Sequence, residues 1–240
     1  MEISSVPRPR QPLSSPFETP YVSLESLKSK LEEVGLSTKP IVVQALTQAI
    51  VSHREQRRDS GGPYLEEHIY PVVLAGIEHE QRIGHRVSAK FVAMLLTHDV
   101  PEDDKAMPLS RFRLEFGRSE VKPFRPGRSV ADLVTPLTKL DTELFPGKTE
   151  KERKQARDSS YYKGLAQAEY ETVIGKIVDR GLNILSLHLC APDKIERKIK
   201  ETEQHYLEMA RNYSPFYFEV ITTRIGELRE WMKLSPASKS

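Results

Sequence analysis

The chain has 240 residues, 38% apolar and 29% charged, enough for one packed core beneath a well-solvated surface. Its 36 basic and 34 acidic residues leave a formal net charge of +2, which argues against a protein that coats nucleic acid or an anionic membrane. A single cysteine, Cys190, excludes an intrachain disulfide framework and a cysteine-built zinc site.

In chain order, residues 1–22 carry Pro7, Pro9, Pro12, Pro16 and Pro20 among serines and few apolar groups. Proline withholds backbone donors, so a disordered arm is expected. The arm holds no apolar signal-peptide core, and the longest uncharged run, Pro40 to Ser52, is too short and polar to span a bilayer. A cytoplasmic location is expected, with no membrane and no stable nucleic-acid partner.

From Ser23 the pattern is helical. Leu24, Leu27, Leu31 and Val34 recur at helical spacing before Gly35. A second helix should be capped by Ser37 or Thr38, with Pro40 in its first turn, and run to Arg57–Arg58. DSGGPY is a turn; further helices should carry Val72 to Ile77 and the run FVAMLL, residues 91–96. A short helix ending at Phe116–Gly117 precedes a loop, then helices are expected over 130–140, 149–164, 166–189, 193–212 and 215–233. Strands are not expected. The predicted class is all-α, one domain over 23–234 with a short tail, 235–240.

The chemistry concentrates at His98 and Asp99, which follow six apolar residues and precede Glu102 and Asp103. Polar groups delivered to the edge of a core need partners, and a divalent cation partners both. Neighbouring helical residues diverge by ~100°, so other elements must complete the shell. His68 and Asp179 are the candidates, Asp179 because an aspartate in so apolar a helix is uncommon unless paired. His53 and His79 are fallback ligands, expected on solvated helix faces. Two imidazoles and two carboxylates suit Mn²⁺, Fe²⁺ or Zn²⁺.

These residues resemble the HD phosphohydrolase superfamily. The flanking segments RRDSGGPYLEEH, LLTHDVPED, EFG, VADLVTPLTKLD, KIVDRGLN and ET…Y…MAR are similar, in order, to the hydrolase domain of RelA/SpoT-type alarmone enzymes. The resemblance covers residues 41–212 and implies an HD-domain helical bundle. It implies His68, His98, Asp99 and Asp179 as ligands of one divalent ion, usually Mn²⁺, and Glu102 and Asp103 as the catalytic acids, Glu102 being the water's base. It implies substrate contacts at Arg58, which would stack on the guanine, and at Ser60, Asn183 and Tyr206. The implied reaction removes the 3′-diphosphate from (p)ppGpp, giving pyrophosphate and GDP or GTP. Arg54, Arg57, Arg58, Lys139, Lys176, Lys198 and Lys200 are the cations available to a polyanionic substrate.

The chain also departs from that pattern. One extra residue lies between Tyr64 and His68, and Ile69 replaces the usual proline. Asp59 stands where a lysine is common, Leu182 where an aromatic or histidine is common, and Leu185 where an arginine typically follows Asn183 by two residues; a loop near 121–128 is inserted. Alternatives are therefore another nucleotide at the same site (a ppApp-like molecule, NADPH or another 3′-phosphorylated nucleotide), an antitoxin to a small synthetase, and a non-catalytic nucleotide-binding module. A homo-oligomer is left open by the stripe Phe216, Val220, Ile221, Ile225 and Leu228.

Overall fold

The computed structural model describes residues 20–117 and 128–234. The expected arm up to residue 19, the tail 235–240 and residues 118–127, which include most of the expected insertion, lie outside the described residues. Where the described chain begins, Val22 already donates its N–H to Glu66 O at 2.9 Å and packs on the core.

Helix α1 (Leu24–Glu33) is capped by Ser23 and buries Leu27 and Leu31; α2 spans Pro40–His53. The expected cap at Ser37 or Thr38 gives way to Lys39, with Pro40 as the first helical residue, where its fixed φ suits the helix and its missing N–H costs nothing. A π-turn, Leu65–Ile69, leads into α3 (Tyr70–Arg82). Next come α4 (Ala89–Thr97), the single turn α5 (Val100–Asp103) and α6 (Leu109–Phe116). The helix expected over 130–140 is shorter: α7 covers Val130–Val134, and Pro136 tightens the chain into a 3₁₀ turn over Thr135–Leu137. The charged α8 (Glu150–Ala166) starts on a Thr149–Glu152 capping box. The apolar α9 (Tyr170–Leu185) ends before a 3₁₀ turn at Leu187–Leu189. The helix expected over 193–212 breaks at Tyr206 into α10 (Pro192–His205) and α11 (Leu207–Tyr213), and α12 spans Pro215–Leu234.

Among the described residues there is no strand, only an isolated bridge between Arg57 and Pro63, as the all-α reading requires. Helix α4 is the centre: every residue from Phe91 to Thr97 is buried, and it packs against α2, α3, α7 and α9. Gly76 on α3 and Gly175 on α9 permit that approach, since a Cβ at either would press into Leu95 or Met94. An all-buried helix must end at a core edge, and α4 ends at His98 and Asp99. Ile221, Ile225 and Leu228 of the expected stripe bury against the domain, whereas Phe216 is 40% exposed. No helix among the described residues is long and apolar enough to cross a membrane.

Candidate metal centre and cavity

The turn after α2 is built by its glycines. Gly61 sits at φ 86°, which a side chain would resist, and Arg58 and Gly62 close the turn through an Arg58 N–H to Gly62 O bond of 2.9 Å. Where an extra residue is expected before His68 the chain forms a π-turn, which widens one helical turn by a residue without breaking the run into α3. His68 thus stays buried and faces α4 and α9.

Four donor atoms meet there. His68 Nε2 lies 3.1 Å from Asp99 Oδ2 and 3.4 Å from Asp179 Oδ1; His98 Nε2 lies 3.1 and 3.8 Å from the same two oxygens. Ligand atoms around one cation at about 2.1 Å are roughly 3.0–3.5 Å apart, so the spacing suits a single ion. His98 bonds Leu95 O through Nδ1 at 2.8 Å, which makes Nδ1 the protonated nitrogen and leaves Nε2 a lone pair. That lone pair is buried, has no hydrogen-bond partner among the described residues, and faces two carboxylates. Only a cation, proton or metal, satisfies such a set, and the residues therefore fit a metal. His68, His98 and Asp179 are all buried, and this His/Asp cluster could hold one. Burial opposes charging of His98, but Asp99 and Asp179 hold its pKa well above the usual value. Burial works against Asp99 too, yet the His98 charge holds that carboxyl well below its usual range.

Outer contacts fix the set. Tyr64 donates to Asp99 Oδ2 at 2.6 Å, and Lys176 to Asp179 Oδ2 at 2.8 Å. Asn183 donates to Asp179 Oδ1 at 2.5 Å while its own Oδ1 accepts from Arg58 at 3.0 Å; Arg58 also donates to Ser186 at 2.8 Å. Such second contacts orient ligands.

Glu102 and Asp103 stand on α5 at the lip of the same cavity. The Lys139 backbone N–H donates to Glu102 Oε1, and Gln56 donates to Asp103 Oδ2 at 2.9 Å. Both side chains keep contact with solvent, but the surrounding protein desolvates them enough to raise both carboxyls above their usual pKa. The cavity, of about 330 Å³, is walled on another side by Lys139, Arg180 and Lys198, which pair with Glu201, and by Lys176. Two buried hydroxyls on it, of Tyr161 and Tyr206, have no partner among the described residues.

The structure brings all ten sequence-picked residues except His98 to the cavity lining, and His98 lies directly behind Asp99. Ser60 is engaged by Glu67 at 2.5 Å. Of the picked cations, Arg57, Arg58, Lys139, Lys176 and Lys198 line the cavity; Arg54 and Lys200 do not. The fallback histidines are not on solvated faces: His53 bonds Gln56 and His79 sits against Ser214, both buried. Sequence reasoning missed Tyr64, Tyr161, Arg180, Ser186 and Glu201. Ser186 was findable, since it lies one helical turn beyond Asn183; Tyr161, on a charged helix, gave no signal.

No protein-family model matches the chain. A guanosine-3′,5′-bis(diphosphate) 3′-pyrophosphohydrolase of Vibrio cholerae is 30% identical over 192 residues, covering 78% of this chain and 24% of that protein. The bifunctional (p)ppGpp synthase/hydrolase SpoT of Escherichia coli K12 is 28% identical over 185 residues, covering 76% and 23%. The chain is a homologue of SpoT-type proteins. It spans about a quarter of the length of these SpoT-type relatives. A solved structure described as "A metazoan ortholog of SpoT hydrolyzes ppGpp and plays a role in starvation responses" superposes with TM-score 0.55 at 18% identity, over 79% of this chain and 96% of that one. The shared fold is an all-α bundle.

Proposed function

We propose that residues 23–234 form one metal-dependent phosphohydrolase domain that removes the 3′-diphosphate from the guanosine alarmones (p)ppGpp, releasing pyrophosphate and GDP or GTP. The observation that carries this reading is the convergence of four donor atoms beside two acids on a cation-walled cavity. The names of the SpoT-type relatives supply the substrate class. His68, His98, Asp99 and Asp179 would hold one divalent ion, Mn²⁺ in this reading, which would supply Lewis-acid stabilisation of phosphate charge.

The chain's own residues do the rest. Glu102, with one oxygen anchored by the Lys139 N–H, offers the other as general base. The water oxygen forms a bond to the phosphorus carried on the 3′-oxygen and Glu102 takes the water's proton; the bond between that phosphorus and the 3′-oxygen breaks with its electron pair on the oxygen, which takes up a proton and leaves as the 3′-hydroxyl. Asp103, held by Gln56, orients the water. Lys139, Lys176, Arg180 and Lys198 balance the substrate's phosphate charge. Arg58, Ser60, Asn183 and Tyr206 line the nucleotide's seat. A cytoplasmic setting accords with a nucleotide substrate.

The test is pyrophosphate release from a panel of ppGpp, pppGpp, ppApp, NADPH and nucleoside triphosphates, with Mn²⁺ against a chelated control. Mn²⁺-dependent release from ppGpp is expected. Activity confined to another nucleotide would move the substrate, and silence with metal bound would leave a binding module.

A further inference from the structure

The cavity has a second polar constellation that the proposed chemistry does not use. Asp59, in the Arg58–Gly62 turn, accepts from Lys194 of α10 at 2.5 Å and from Cys190 Sγ at 3.4 Å, both through Oδ2. Among the described residues nothing bonds Asp59 Oδ1. All three residues line the cavity, with Leu187 and Leu189 beside them. Along the chain, Asn183, Ser186, Cys190 and Lys194 follow the donor Asp179, and among the described residues neither Asp59 nor Lys194 is hydrogen-bonded to the donor set. Both side chains remain reachable, at 57% and 37% exposure. Lys194 holds the Asp59 carboxyl below its usual pKa, so it is ionised at neutral pH.

An anionic acceptor beside an ammonium donor is the complement of one purine edge. Guanine presents O6 as acceptor beside the N1 and N2 donors, whereas adenine puts a lone pair at N1, which a carboxylate repels. A pocket that hydrogen-bonds a substrate group rejects the analogue lacking it, because its own polar atoms are then left unpaired.

Resting on the alarmone reading above, we propose that the Asp59–Lys194 pair reads the Watson–Crick edge of the substrate's base, Asp59 Oδ1 accepting from N1 or N2 and Lys194 donating to O6. The pair makes the site selective for guanine. The acid beside Arg58 is then a specificity determinant and does not point to an adenosine substrate.

The test measures dissociation constants of ppGpp, its inosine counterpart lacking the 2-amino group, and ppApp by calorimetry, with Mn²⁺-loaded wild type, Asp59→Ala and Asp59→Asn. Turnover of ppGpp is recorded alongside. The expected result is wild-type preference for ppGpp over ppApp and a fall in that preference of about tenfold in Asp59→Ala, at unchanged metal content. Asp59→Asn, which keeps an oxygen acceptor, should lose less. Equal binding of ppGpp and ppApp by wild type, an unaltered preference in Asp59→Ala, or binding of none of the three would overturn the proposal. Guanine-selective binding without turnover would sustain it while refuting the hydrolase reading.

Discussion

At the scale of single residues, the decisive contrast is between acids that are paired and acids that are not. Asp99 and Asp179 are held ionised by the imidazoles and Lys176, while desolvation raises Glu102 and Asp103. A raised carboxyl binds its proton more tightly in the fold than in the unfolded chain, so it costs stability as pH rises through the folded pKa. Its activity as a base is gained over the same rise. Glu102→Gln should therefore stabilise the metal-free protein slightly at neutral pH, keep the metal, and lower turnover about 10²–10⁴-fold. The acid limb of the wild-type rate profile, displaced above the ordinary carboxylate range, should vanish with it. Metal content, melting temperature and rate against pH check all three, and unchanged turnover would remove Glu102 from the role of base. The clustering of these residues was legible because polar groups at a core edge are chemically incongruous: His98 and Asp99 after an apolar run, Asp179 within an apolar helix. Tyr64 and Arg180 were not, because a tyrosine in a turn or an arginine after an aspartate has many ordinary reasons to be there.

Among the elements, helical periodicity revealed the bundle, and its errors cluster where one residue changes the geometry. Pro136 converts the end of the expected 130–140 helix into a 3₁₀ turn, and Tyr206 splits another helix while burying its ring in the cavity wall. Apolar spacing registers neither, since both sides of each break keep their buried faces. The π-turn is the opposite case. Its extra residue was visible by count, but whether it displaced His68 depended on where a helix can store a residue. His68 lies within the π-turn, two residues before α3, so deletion of Glu66 on its N-terminal side should restore an ordinary turn while the run into α3 keeps the imidazole in place. Expected is one equivalent of bound metal with a lower melting temperature, since Val22 loses its bond to Glu66 O. Loss of metal would mean that the bulge itself aims the imidazole.

On the scale of the whole molecule, the donor set ties the π-turn, the end of α4 and the middle of α9 into one point. A cation there binds only the folded chain and stabilises it by mass action, about 2.7 kcal/mol at a hundredfold excess over its Kd. For a domain of this size that is a rise in melting temperature of about 5–10 °C, and the metal-stripped protein against Mn²⁺ is the comparison. Asp99→Ala should abolish the rise, and a rise that persists would place the ion elsewhere. The strut from Arg58 through Asn183 to Asp179 carries a further consequence. A nucleotide that settles Arg58 also settles a ligand oxygen of the ion, so the two equilibria share a term. Thermodynamic reciprocity then requires that whatever factor the nucleotide adds to metal affinity, the metal returns to nucleotide affinity. The protein would act as a coincidence detector, holding either component loosely and the pair tightly.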